Sequence, residues 1–98
     1  MTKTLSEIRE ILTKRKDELK EKYNIKNIGI FGSFIRGEQN ARSDVDILVE
    51  FNKLPDIFLL IDLEEYLKKL LHKKVDLVRK SAIRPELKDD ISKEAVYI

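Results

Sequence analysis

An α+β fold, a small mixed sheet of three strands or slightly more with helices packed on it, follows from three observations. Apolar residues recur at helical spacing before Asn24 and again after Asp56. Three short runs between turn residues, 27–31, 45–51 and 74–78, have the composition and alternation of strands. The resulting order, helix, strand, short helix, strand, helix, strand, helix, fits one sheet covered by helices. Ninety-eight residues make one domain, residues 1–98, with no room for a second core.

Thr4-Leu5-Ser6-Glu7 reads as a capping box, with Thr4 as N-cap and Glu7 reaching back. Leu5, Ile8, Ile11, Leu12, Leu19 and Tyr23 then predict one helix from about Leu5 to Tyr23, stopped near Asn24. The first strand follows at Asn27–Phe31, and its Gly29 implies close approach by a neighbouring element. Gly32-Ser33 turns the chain into a short helix, Ser33 to about Arg36, ended by Gly37, and polar residues 38–43 read as a loop.

The second strand runs from Val45 to Phe51, and Asp56 caps the next helix. That helix is expected to turn Ile57, Leu60, Ile61, Leu67, Leu70 and Leu71 inward, with Asp62, Glu65, Lys68 and Lys69 outward. In the third strand, Lys74–Val78, Val75 and Leu77 share a face and Asp76 takes the other. Pro85 opens a last helix with Leu87 and Ile91 inward, and the apolar tail Ala95–Ile98 docks on the core.

Composition excludes several classes. There are no cysteines, which removes disulfides and thiolate zinc sites and fits a reducing compartment. The longest apolar run, Ile57–Ile61, is too short to span a membrane, and the N-terminus lacks the apolar core of a signal peptide. A soluble cytoplasmic domain is the expectation. A net charge of +2 gives no reason to expect direct nucleic-acid binding, and Lys14-Arg15-Lys16 reads as a solvated helix face.

Chemistry concentrates around residues 31–50. Ten residues separate Ser33 from Asp44, and Asp44-Val45-Asp46 then opens the second strand. Alternation puts Asp44 and Asp46 on one face, about 6.5 Å apart along the backbone. Aspartate is a poor strand former, and two such charges repel by about 3 kcal/mol at an effective dielectric near 20. A cation between them reverses the sign of that energy. If the third strand lies beside the second, Asp76 joins them at one edge of the sheet.

Oxygen-only ligands suit Mg²⁺, which keeps several waters and is completed by substrate phosphates. The Gly32-Ser33 step offers backbone N–H groups and a hydroxyl to a polyanion. A cation site beside an anion cradle is what metal-dependent phosphoryl or nucleotidyl transfer requires. Competing motifs fail: Glu38-Gln39 stand where a P-loop needs Lys and Ser/Thr, and Leu48-Val49 are incompatible with an EF-hand. His72, the only histidine, sits at a helix C-terminus, where a cation is favoured, and reads as structural.

Gly32-Ser33, ten residues, then Asp44-Val45-Asp46 resembles the signature of the polymerase-β-like nucleotidyltransferase superfamily, and within it the minimal nucleotidyltransferases (MNT proteins) that pair with HEPN-domain toxins. Arg36-Gly37, Ser43, Leu48-Val49, Arg84-Pro85-x-Leu87 and Glu94-Ala95-Val96-Tyr97 also match. The resemblance implies a polymerase-β-like palm that moves AMP from ATP onto a tyrosine hydroxyl of a cognate HEPN toxin and silences it. It implies that Asp44 and Asp46 bind two Mg²⁺ ions. Asp76 would complete one metal site and help remove the acceptor proton, and Gly32 and Ser33 would hold the β- and γ-phosphates. Arg36 and Arg42 are candidate triphosphate contacts. With no added acceptor domain, the acceptor surface comes largely from the partner. The alternatives are a binding-only antitoxin with a vestigial site, or nucleotidyl transfer to a nucleic-acid or small-molecule acceptor.

Overall fold

The computed structural model describes residues 4–37 and 44–98. The chain begins with helices α1 (Leu5–Lys14) and α2 (Lys16–Tyr23), where the sequence predicts one. The Thr4–Glu7 capping box is present. The break falls at Arg15, whose φ/ψ of −106°/5° leave the helical region and whose N–H bonds back to Leu12 and Thr13. Thr13 contributes, because its hydroxyl donates to the Arg9 carbonyl at 2.7 Å, a back-bond that bends helices. Asn24, in the left-handed conformation, ends α2 as expected.

Strands β1 (Ile25–Phe31), β2 (Val45–Phe51), β3 (Val75–Arg79) and β4 (Val96–Tyr97) form one mixed sheet in the order β3-β2-β1-β4. β1 is antiparallel to both β2 and β4, and β2 is parallel to β3 through the crossover helix α4 (Ile57–Leu71). The fourth strand is the apolar tail. It lies against Gly29, where an added Cβ would come within 3.1 Å of the Tyr97 ring and the Val96 carbonyl, so the bare position is what lets the tail pair. Helices α3 (Ser33–Arg36) and α5 (Pro85–Glu94) complete the fold, with a 3-10 turn at Lys80–Ala82.

The core lies between one face of the sheet and helices α1, α2 and α4. Val45, Ile47 and Val49 of β2 meet Ile8, Leu12, Leu19, Leu63, Leu67 and Leu71, all fully or nearly fully buried. Two expectations about packing are corrected. Ile57 and Ile61 are 65% and 50% exposed, whereas the buried stripe of α4 is Leu63, Leu67 and Leu71. Residues 57–61 are apolar all round and fix no phase. Only where charged residues begin does the four-residue spacing choose a face.

Leu87 is likewise half exposed, because α5 buries no residue and packs only near its C-terminal end, from Ile91 onward. No helix among the described residues is long and apolar enough to cross a membrane.

Candidate active site

β2 is buried on its core face and carries Asp46 on the other. The sheet register places Asp46 directly beside Asp76 of β3 and opposite Phe31, the last residue of β1. Adjacent strands lie about 4.8 Å apart, so the juxtaposition of the second and third strands brings the two carboxylates to one edge. Asp44 sits just before β2, exposed, and the chain is fixed there by the Val45 N–H donating to the Lys74 carbonyl at 2.9 Å.

The Gly-Ser step reaches the same place from β1. The Ser33 backbone N–H donates to the Asp46 carboxylate. Gly32 has φ +78°, and a Cβ built on it would stand 2.9 Å from the Asp46 Cγ. The turn is therefore shaped around the aspartate. α3 ends at Gly37, which is in the left-handed conformation.

The electrostatics agree with the geometry. Burial is the largest influence raising the Asp46 pKa, followed by the charges of Asp76 and then Asp44. The Ser33 N–H and the Arg36 guanidinium act in the opposite direction more weakly. Three like charges thus act on one another across this edge.

The set is all oxygen, the class of donor a hard divalent cation takes. As placed, however, no three or more carboxylates or histidines among the described residues close into a cage around an ion. Charge and register fit Mg²⁺, which takes much of its shell from water and phosphate, and not a cation needing a full protein cage.

The structure brings Gly32, Ser33, Arg36, Asp44, Asp46 and Asp76 together. Arg36 is near enough to influence Asp46 and also bonds Glu94 at 2.8 Å. Arg42 and Ser43 lie outside the described residues. Glu94 was visible in sequence only as part of a matching terminal run, 58 residues from its partner. The depression lined by Asp44 and Asp76 is open, and Glu64, Lys68, His72, Lys73 and Lys74 also line it. Lys73 also lies 5.9 Å from the Phe34 ring of α3. A more enclosed depression, lined by Glu50, Lys53, Arg79, Lys80 and Lys88, lies at the opposite end of β2 and contains none of the aspartates.

Residues 12–98 match the family described as Nucleotidyltransferase domain. The chain belongs to this nucleotidyltransferase family. It is an enzyme of nucleotidyl transfer with the polymerase-β-like fold. Protein adenylyltransferase MntA of Thermococcus cleftensis is 47% identical to it over 95 residues, covering 97% of this chain and 96% of that protein. The Methanocaldococcus jannaschii protein MJ0128 is 53% identical over 97 residues, covering 98% and 99%.

Among solved structures, the nucleotidyltransferase resembles a minimal nucleotidyltransferase with TM-score 0.76 and 27% identity, covering 91% and 93% of the two chains. A toxin–antitoxin complex with AMP-PNP gives 0.71 and 24%, covering 86% and 69%. A Shewanella oneidensis complex of tri-AMPylated HEPN toxin with MNT antitoxin gives 0.66 and 21%, covering 92% and 70%. These last two likenesses speak to the fold.

Proposed function

We propose that this nucleotidyltransferase is a Mg²⁺-dependent protein adenylyltransferase antitoxin. It transfers AMP from ATP to a tyrosine hydroxyl of a cognate HEPN toxin in the cytoplasm and so neutralises it. The observation that carries the reading is the meeting of Asp46, Asp76 and the Ser33 N–H at one sheet edge. The 47% identity to a protein adenylyltransferase supports the reaction class, and proteins of the same fold are found with AMP-PNP and with a HEPN toxin.

Asp44, Asp46 and Asp76 would hold two Mg²⁺ ions. Bound there, the metal supplies charge neutralisation at the triphosphate and at the attacking and leaving oxygens. The Gly32-Ser33 turn receives the β- and γ-phosphates, with Arg36 beside it and Arg42 as a further contact. The tyrosine oxygen attacks the α-phosphorus, the bond to the bridging oxygen of the β-phosphate breaks, and pyrophosphate leaves. Asp76, which is exposed, helps take the hydroxyl proton.

Adenine-labelled ATP, Mg²⁺ and the co-purifying helical partner test this directly. Label should appear on the partner with wild type and vanish with Asp44→Asn and Asp46→Asn. Neutralisation that survives both substitutions without label transfer leaves a binding-only antitoxin. Label on a nucleic acid or small molecule instead would reassign the acceptor.

A further inference from the structure

We propose that Glu94 is a positioning residue for nucleotide binding: its carboxylate holds the Arg36 guanidinium off Asp46 and directs it toward the triphosphate. The inference rests on the reading that a triphosphate lies beside Gly32-Ser33. Arg36 is the last residue of α3, a four-residue helix with no side-chain cap, and a single turn does little to order a long side chain. One contact that orders it comes from the far end of the chain. Arg36 Nη1 donates to Glu94 Oε1 at 2.8 Å, and the carboxylate is the better buried of the two, 25% exposed against 51%.

Glu94 is in turn set by its neighbours. It is the last residue of α5, and the two residues of β4 that begin at Val96 are hydrogen-bonded to Gly29 and Ile30 of β1. β1 leads directly into Gly32. The strand that delivers the phosphate turn therefore also anchors the carboxylate that orients its arginine.

Arg36 bonds Glu94 and is also close enough to Asp46 for their charges to interact. Without Glu94, the attraction of three carboxylates draws the guanidinium onto Asp46, removing it from the phosphates and neutralising a proposed metal ligand. Competition between Glu94 and phosphate for Arg36 is the opposing effect. A guanidinium carries five N–H donors in a fixed fork, enough for a carboxylate and a polyanion together. The pair is half exposed, and the modest strength of such exposed ion pairs limits that competition.

Calorimetric titration of the full chain with ATP and with AMP, in Mg²⁺, tests this with Glu94→Gln, Glu94→Asp, Arg36→Ala and the double variant Arg36→Ala/Glu94→Gln. Glu94→Gln should weaken ATP by about tenfold and leave AMP, which lacks the β- and γ-phosphates, nearly unchanged. Glu94→Asp should recover most of the loss. In the Arg36→Ala background, Glu94→Gln should add nothing, because no guanidinium is left to position; the selective loss of ATP over AMP is what a purely structural role would not reproduce. Unchanged or tighter ATP binding by Glu94→Gln, an equal loss for AMP, or a further loss on top of Arg36→Ala overturns the proposal while leaving the nucleotide site standing. A wild-type chain that binds no ATP would remove the nucleotide reading, and this one with it.

Discussion

Gly32 and Asp46 are in contact across the end of the sheet so closely that a methyl group on Gly32 would stand 2.9 Å from the Asp46 carboxyl carbon. The glycine is held at φ +78°, where an L-residue is strained as well. Gly32→Ala is expected to cost about 1–3 kcal/mol and to displace Asp46. A displacement of about 1 Å at a reacting group lowers transfer by about 100-fold. Gly37 is the control. It has φ +72° but nothing within 4 Å of an added Cβ, so Gly37→Ala should lose about 1–2 kcal/mol in urea melts with transfer largely kept.

Asp46 is held at a cost that Asn would relieve. Burial and the charges of Asp76 and Asp44 raise its pKa, so the folded state prefers the protonated form. The associated stability is fully present below the unfolded aspartate pKa, near pH 4, and is lost as pH rises through the higher folded value. Asp46→Asn should therefore melt at a higher temperature than wild type at pH 7, with the difference closing in acid. The Asn oxygen can still accept from Ser33, and activity should disappear. A lower melting point at neutral pH would contradict the electrostatic account. Mg²⁺ with ATP should narrow the gap by stabilising wild type alone.

The packing of α4 predicts opposite outcomes at two positions ten residues apart. Leu67→Ala, in the buried stripe, should destabilise by about 2–5 kcal/mol. Ile57→Ser, at a position 65% exposed, should change stability by no more than about 0.5 kcal/mol. Urea unfolding of both variants separates the observed phase from the one that the run 57–61 suggests.

His72 ends α4 in the left-handed conformation, φ 54°. His72→Gly should raise stability by up to about 1 kcal/mol, because glycine adopts this geometry without the Cβ penalty. Thermal melts of the two proteins check this.

The parts legible in sequence are those decided locally. Thr4 and Glu7 specify a cap, Gly37 a helix stop, Asp56 another cap, and each is found as predicted. The alternation in Val45–Phe51 gives the strand and the face of Asp46. What escaped depends on tertiary choice. The helix break at Arg15 is accompanied by a side-chain back-bond that no periodicity records, and the inward face of α4 is set by which stripe meets the sheet. Glu94 is the instructive case at the site: its partner is 58 residues away, and only the pairing of the chain's end with β1 brings them together.

Three acidic side chains gathered beside a nucleotide's phosphates are the core of the account. Crystals of the protein with Mn²⁺ and a non-hydrolysable ATP analogue, measured for the anomalous signal of manganese, test it most directly. The account predicts manganese bound by Asp44, Asp46 and Asp76, with the terminal phosphates against Gly32 and Ser33. Manganese absent from the three aspartates, or a nucleotide seated away from the Gly-Ser turn, would contradict it.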